Sequence, residues 1–217
     1  MKIIALIPAR AGSKRIPNKN IKLLGGKPLV VWSIETALAL RLPCYVSTDS
    51  QEIADISRHA GAEIINRPKE LATDTATDWD VIKHAIGKAK TGLVTYLRPT
   101  TPLRESQVVW NAVRFMQLNP GYSLLRSVQE MDESPYKCVI DRDGVKSFYI
   151  RWVDKPNHLC PRGLHPNGLV DICRGEWSYR DPYWYETDRV VELDTLEQWE
   201  YAEWRCGDVL SGSVKVR

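Results

Sequence analysis

Residues 3–20 of the chain read IIALIPARAGSKRIPNKN, an apolar run followed at once by a basic loop. Ile3 to Ile7 form a continuous apolar run, which is typical of a strand buried on both faces of a parallel sheet. Ligands of open α/β sheets bind beyond the carboxyl ends of the strands. The first strand ends at Pro8, so the sequence predicts a ligand site in the loop that begins there.

The loop has a composition suited to binding phosphate. Gly12 lets a ligand approach the backbone closely, and Ser13 offers a hydroxyl donor. Arg10, Lys14 and Lys19 bring positive charge to phosphate oxygens. The loop matches neither G-x-G-x-x-G nor G-x-x-x-x-G-K-[ST], which disfavours a dinucleotide oxidoreductase and a P-loop kinase. A plain solvated loop is the alternative interpretation.

The positive charge of the chain is concentrated at its start. Seven lysines and arginines and no acid precede Glu35, although the net charge of all 217 residues is only +3. This pattern favours a small polyanion over nucleic acid, which needs basic residues on several elements. No apolar run approaches the roughly 20 residues of a membrane helix, and the five scattered cysteines contain no C-x-x-C pair. We expect a cytoplasmic protein with no membrane or nucleic-acid partner.

Beyond the loop, helical and strand patterns alternate, which predicts a three-layer α/β fold with a mostly parallel, doubly wound sheet. The predicted helices span 28–40, 50–60 with Asp49 or Ser50 as the cap, 78–90, 105–118 and the C-terminal region; the strands span 44–48, 62–65 and 93–97.

The pattern changes after Pro120. Short strands near 123–128, 139–140 and 145–149, separated by turn residues, predict a small antiparallel insertion at about 125–165 within one domain of residues 1–217. Gly168 to Cys173 and Val190 to Leu193 are predicted to return to the main sheet.

Several ordered motifs then narrow the choice of fold. The pattern A-R-x-G-S-K-R-x-x-x-K-N spans Ala9 to Asn20, and G-K-P-L follows at 26–29. Further motif residues lie at 46–49, 67–76, 99–104, 166–168 and 193–195. In these motifs the chain resembles the acylneuraminate cytidylyltransferases, which activate sialic and related nonulosonic acids. The resemblance implies a fold of the nucleotide-diphospho-sugar transferase type and a homodimer formed through the insertion.

The resemblance also implies a reaction, in which CTP and an acidic sugar give a CMP-sugar and pyrophosphate with Mg²⁺. The anomeric hydroxyl would attack the α-phosphate in line, so catalysis would consist mainly of positioning and of neutralising phosphate charge. Arg10 and Lys14 would be catalytic, holding the triphosphate and stabilising charge during transfer. The implied nucleotide-binding residues are Ala9, Gly12, Ser13, Lys19, Asn20, Arg67, Asp74, Thr75 and Ala76. The implied substrate-binding residues are Asp78, Arg98, Thr100, Lys137, Asn167 and Asp171.

For the metal, the resemblance points to an Asp-x-Asp pair at the end of a late strand. Here the pair is Glu192 and Asp194, which alternation along a strand would place on one face. Mg²⁺ accepts either carboxylate. Two alternatives stay open: Asp194 could cap the C-terminal helix, and a zinc ion could be held by His158, Cys160, His165 and Cys173.

The chain departs from the family pattern at the sugar end. Arg98 stands where the family has glutamine, Asp171 replaces a tyrosine after N-G, and an R-Q-x-x-P segment is altered at 157–161. We therefore expect retained nucleotide handling and changed acceptor recognition. Arg98 could bind the sugar carboxylate or an internal acid such as Asp171. A sugar-1-phosphate nucleotidylyltransferase and a catalytically inactive nucleotide-binding homologue are the alternative functions.

Overall fold

The structure is a computed structural model that describes residues 2–89, 91–148, 156, 159–175 and 179–210. The strands are β1 Ile3–Pro8, β2 Leu23–Leu24, β3 Lys27–Pro28, β4 Cys44–Thr48, β5 Glu63–Asn66, β6 Leu93–Tyr96, β7 Leu124–Glu130, β8 Val139–Arg142, β9 Val145–Phe148, β10 Leu164–Arg174 and β11 Pro182–Glu186. The helices are α1 Leu29–Ala39, α2 Gln51–His59, α3 Asp78–Ala89, α4 Ser106–Leu118 and α5 Leu196–Leu210.

Seven strands form the main sheet, in the order β11-β7-β10-β6-β1-β4-β5. β10 runs antiparallel to both of its neighbours, and every other neighbouring pair in this sheet is parallel. Six strands therefore end at the same edge. The residues that follow β1, β4, β5 and β6 meet there, which places the basic loop beside the segments that begin at Asp49, Arg67 and Leu97.

The side chains of β1 alternate between the two faces of the sheet, and both faces are apolar. Helices cover both faces and complete a core on each. Ala5 and Ile7 pack in a core with residues of α1, α2 and α4. Ile4 and Leu6 pack with residues of α3 on the other face. The predicted three-layer, mostly parallel fold is confirmed. Ser50 is the cap of α2, since its hydroxyl accepts from the backbone N–H of Ile53 at 3.3 Å.

Two strand predictions are wrong. The strand predicted at 123–128 belongs to the main sheet as β7 rather than to the insertion, because its side chains Leu124 and Leu125 are fully buried and it pairs with both β10 and β11. Residues 190–193 form no strand; the Leu193 N–H donates to the carbonyl of Thr100, and its side chain packs against α5. The edge strand is β11 instead, in which Trp184 is exposed while Tyr183 and Tyr185 on either side of it are partly buried.

The insertion in the described residues is the hairpin of β8 and β9, which forms a two-stranded sheet of its own. Three residues of the sequence predictions lie outside the described residues. They are Lys90, the predicted end of a helix, Tyr149, the predicted end of a strand, and His158, a member of the alternative zinc set. No helix in the described ranges is long and apolar enough to cross a bilayer.

Candidate active site

A cavity of about 560 Å³ lies at the edge where the parallel strands end. Its walls come from the basic loop after β1, the segment after β5, the start of α3, the loop after β6 and Asp194, two residues before α5. Its size is that of a site for a small ligand. Both Arg10 and Asp194 line it, although they come from opposite ends of the chain.

The basic loop is held in shape from within the protein. Asp49 at the end of β4 accepts a hydrogen bond from the backbone N–H of Ala11 at 2.8 Å. The Asn20 side chain donates to the carbonyl of Arg10 at 2.9 Å. Ile16 is only 1% exposed and anchors the loop in the core beneath α5. Gly12 has a φ of +71°, a conformation that glycine adopts without strain. These contacts fix the direction in which the cations point.

In the structure, Arg10 and Lys14 share one carboxylate. Arg10 Nη2 lies 2.5 Å from Asp74 Oδ1, and Lys14 forms an ion pair with the other oxygen of Asp74. The hydrogen bonds from Lys14 and Arg10 lower the pKa of Asp74. Arg10 also donates to the carbonyl of Ala72 at 3.2 Å. An incoming polyphosphate would thus meet two cations whose present partner is an exposed carboxylate.

Arg67 forms an inner wall of the cavity. It is 8% exposed, and its guanidinium donates to the hydroxyl of Ser47 at 3.1 Å and to the Ser47 carbonyl at 2.8 Å. Burial lowers the pKa of Arg67. Because these contacts come from β4 and the backbone, the side chain is pre-organised before any ligand arrives.

A second charged group lies at the start of α3. Asp78 accepts from the Tyr96 hydroxyl at 2.9 Å and from Arg98 Nη2 at 2.5 Å. The other terminal nitrogen of Arg98 binds Asp171, which is 0% exposed. Of the two partners that the sequence allows for Arg98, the structure shows the internal acid.

Asp194 lies beside the basic loop. Lys19 Nζ is 3.1 Å from its Oδ1, and Arg15 Nη1 is 3.4 Å from its Oδ2. Thr195, not Asp194, caps α5: the Thr195 hydroxyl accepts from the N–H of Gln198 at 3.2 Å. The capping alternative for Asp194 is therefore wrong, because its carboxylate points to the cations of the loop.

Glu192 lies close to Asp194 but does not line the cavity. A Cβ added to Gly168 would come 3.9 Å from Glu192 Oε1, which places the carboxylate beside β10. Burial, followed by the negative charge of Asp194, raises the pKa of Glu192. Two neighbouring carboxylates suit a divalent cation, which commonly takes one or two carboxylates along with phosphates and water. No three His, Cys, Asp or Glu side chains among the described residues form a metal cluster by themselves.

The structure brings most of the predicted residues into this one cavity. Those that line it are Arg10, Ser13, Lys14, Lys19, Asn20, Arg67, Asp74, Ala76, Asp78, Arg98, Thr100 and Asp194. The described residues that were predicted for the site but do not line it are Ala9, Gly12, Thr75, Lys137, Asn167, Asp171 and Glu192. Asn167 shows one reason, since its amide binds the Thr187 hydroxyl at 2.8 Å and is 2% exposed.

Sequence reasoning missed three residues that shape the cavity. Asp49 fixes the loop, Arg15 pairs with Asp194, and Tyr96 orients Asp78. Asp49 and Tyr96 could have been found, because each lies at the carboxyl end of a predicted parallel strand.

Comparison with known proteins agrees with this geometry. The model of a protein family described as cytidylyltransferase matches residues 4–150, which contain the loop, Arg67, Asp78 and Arg98. The chain belongs to the cytidylyltransferase family. The family predicted from the sequence motifs is thereby confirmed.

Among its relatives, the chain is 37% identical over 177 residues to the N-acylneuraminate cytidylyltransferase of Escherichia coli O18:K1:H7, with 79% of the chain and 42% of that protein covered. It is 38% identical over 155 residues to the CMP-N,N'-diacetyllegionaminic acid synthase of Legionella pneumophila, with 66% and 65% covered. The chain thus spans about half the length of the curated relatives it matches.

A solved structure of CMP:2-keto-3-deoxy-manno-octonic acid synthetase, complexed with CTP, shares the fold. Its TM-score is 0.75 at 17% sequence identity, and the match covers 99% of this chain and 100% of the other. At that identity the likeness supports the fold of the nucleotide-sugar transferase type.

Proposed function

We propose that the chain is a cytidylyltransferase that transfers CMP from CTP to an acidic sugar of the nonulosonic or sialic-acid type, with release of pyrophosphate. The observation that carries the proposal is the single cavity in which the loop cations Arg10 and Lys14 and the carboxylate of Asp194 all lie. The family membership and the names of the relatives supply the nucleotide and the class of acceptor.

In this reaction the anomeric oxygen of the sugar forms a bond to the α-phosphorus, and the bond from that phosphorus to the bridging oxygen of pyrophosphate breaks. Negative charge grows on the leaving group, so cations near the β- and γ-phosphates accelerate the step. Arg10 and Lys14 would exchange Asp74 for phosphate oxygens when CTP binds. The contacts of Asp49 and Asn20 keep the loop ready for that exchange.

The carboxylate of Asp194 at the end of the cavity fits Mg²⁺, and that of Glu192 lies close to it, outside the cavity lining. Asp194 and Glu192 would hold the ion, which supplies charge neutralisation for the triphosphate and the pyrophosphate when bound. Lys19, which binds both the carbonyl of Leu193 at 2.8 Å and the Asp194 carboxylate, positions this segment against the loop.

The decisive experiment measures pyrophosphate release from each of the four NTPs with a panel of acidic sugars and sugar 1-phosphates. We expect release only with CTP and a nonulosonic acid. Release with a sugar 1-phosphate would establish the alternative acceptor class, and no release with any pair would indicate an inactive nucleotide-binding homologue.

The roles of the loop cations are tested by Arg10→Ala and Lys14→Ala. We expect turnover to fall by orders of magnitude with little change in thermal stability, because both side chains project from a loop. Lys88→Ala is the matched control, since Lys88 is exposed on α3 and does not line the cavity. Turnover close to that of the unchanged protein in either loop variant would remove that residue from catalysis.

We also propose a cytoplasmic homodimer that forms through the insertion. Val139 and Val145 on the β8–β9 hairpin are 55% and 67% exposed, which supports an apolar contact there. The cytoplasmic location is proposed from the scattered cysteines of the sequence, which contain no C-x-x-C pair. Light scattering after size exclusion should give twice the mass of the chain, and Val145→Lys should give the single mass. Leu118→Lys, at an exposed position on α4, is the control.

A further inference from the structure

One group of charged side chains reaches from the centre of the sheet to the wall of the cavity. Asp171 on β10 is directly opposite Tyr96 of β6 on one side and Arg126 of β7 on the other. Its two oxygens bind Arg98 and Arg126, the latter at 3.1 Å. With 0% exposure, the Asp171 carboxylate has exchanged water for these two guanidinium groups.

Arg98 extends this buried pair toward the cavity. One terminal nitrogen binds Asp171 and the other binds Asp78 at 2.5 Å, while the side chain is 16% exposed. Burial acting alone would lower the pKa of Arg98, but Asp171 and Asp78 outweigh it and raise the pKa, so the side chain stays charged. A carboxylate arriving from the cavity would have to compete with two acids already in place.

Asp78 is the member of the group that faces the ligand space. Its side chain is 43% exposed and lines the cavity. It is not used to cap α3, because the Thr77 hydroxyl accepts from the N–H of Asp80 at 3.2 Å. Tyr96 and Arg98 each donate to a different oxygen of Asp78, which fixes the plane of the carboxylate and leaves each oxygen further accepting capacity.

Tyr96 acts toward Asp78 only as a hydrogen-bond donor. It is 1% exposed, and burial, with a contribution from Asp78, raises its pKa, so its hydroxyl remains a donor. With donors behind it on both oxygens, the Asp78 carboxylate can offer the cavity only acceptor sites. Among the groups of a nucleotide or a sugar, those that match it carry an N–H or an O–H.

We propose that Asp78 is the specificity-determining acceptor for a hydrogen-bond donor of the bound ligand, and that Arg98, anchored by Asp171, is the residue that positions it. The inference rests on the proposed function only in that the ligand is the nucleotide or the sugar acceptor. The donor is an amino or hydroxyl group in either case. Arg98 itself makes no contact with the ligand's carboxylate.

The test uses Asp78→Asn, Arg98→Gln and their double variant in the complete chain. In one arm, calorimetry measures the binding of CTP alone; in the other, kinetics give KM and kcat for the sugar at saturating CTP. We expect both single variants to weaken the binding of the same ligand, either CTP or the sugar, about tenfold or more. The kcat of each should stay within about threefold of that of the unchanged protein. The double variant should lose no more affinity than the more strongly affected single variant, because the two residues act as one unit.

Arg126→Gln is the matched control. It removes the other guanidinium bound to Asp171, but Arg126 does not line the cavity. We expect it to lower thermal stability as Arg98→Gln does, with both ligand affinities within about twofold of the unchanged protein. Should Arg98→Gln fail to fold, Tyr96→Phe removes only the hydroxyl behind Asp78 and should weaken the same ligand severalfold.

The two arms separate the possible outcomes. Weaker CTP binding assigns the donor to the nucleotide, and an unchanged CTP affinity with a raised sugar KM assigns it to the acceptor. Unchanged values in both arms for Asp78→Asn, equal losses in Arg98→Gln and Arg126→Gln, or additive losses in the double variant would overturn the inference. Those results leave pyrophosphate release by the unchanged protein intact, whereas an absence of release there refutes the proposed function alone.

Discussion

Asp171→Asn should destabilise the protein strongly, because it removes the carboxylate that Arg98 and Arg126 share at the centre of the sheet. Asparagine keeps one acceptor oxygen and turns an amide donor toward the second guanidinium. Removing one member of a buried ion pair costs about 3–5 kcal/mol. Asp78 remains as a partner for Arg98, and the two arginines are 16% and 15% exposed, so we expect the lower end, about 3 kcal/mol.

For a domain of this size, each kcal/mol shifts Tm by about 2–4 °C, so the expected loss is about 6–12 °C. Thermal and urea unfolding followed by circular dichroism would measure it. Asp55→Asn is the matched control, because Asp55 pairs with Arg58 on the surface, where both side chains are about half exposed; its Tm should change by less than about 2 °C. A similarly small change in Asp171→Asn would refute the reasoning.

The pH dependence of the Tm difference between the unchanged protein and Asp171→Asn follows from the raised pKa of Arg98. A base whose pKa is raised on folding stabilises the protein fully at every pH below its unfolded pKa, and loses that contribution only as the pH rises from the unfolded to the folded pKa. The Tm gap between the two proteins should therefore stay constant between about pH 6 and 9 as far as Arg98 is concerned.

Three further predictions concern the metal, the backbone and the thiols. Asp194→Asn should raise the Mg²⁺ concentration needed for half-maximal activity several-fold, whereas Thr195→Ala should lower only the stability of α5, by about 1 kcal/mol in urea unfolding. Gly168→Ala should destabilise by about 1–2 kcal/mol in the same assay, because φ is +67° and the new methyl group would lie 3.3 Å from the Thr101 hydroxyl. A thiol reagent should label two cysteines quickly in the native protein and five in urea, since burial raises the pKa of Cys44 to about 12 and three thiols are at most 4% exposed. The two fast cysteines are Cys138 and Cys160. An unchanged Mg²⁺ titration, an unchanged unfolding midpoint or rapid native labelling of all five would contradict these three predictions in turn.

Local patterns predict much of the fold. The buried run of β1 and the basic loop after it are adjacent in sequence, so composition alone indicates a phosphate site at a strand end. The cap at Ser50 is equally local. The pattern Thr195-x-x-Gln198 is a capping box that could have excluded Asp194 as the cap.

Other predictions depend on contacts that the local pattern does not contain. The apolar run at 190–193 correctly indicates burial, yet burial does not specify a strand; here the run packs under α5 and hydrogen-bonds to the loop after β6. The places of β7 inside the main sheet and of β11 at its edge depend on which strands pair, and pairing is a long-range property.

The sequence by itself determined which chemistry is available: a cationic loop at a strand end, a late pair of carboxylates and an unusual Arg98 and Asp171. Only the tertiary structure decided which of these groups meet. Lys19 and Asp194 are 175 residues apart, and Arg98 and Asp171 are 73 apart, so their contacts arise from the order and register of the strands. The attraction between opposite charges falls as the distance between them grows, and the fold sets that distance.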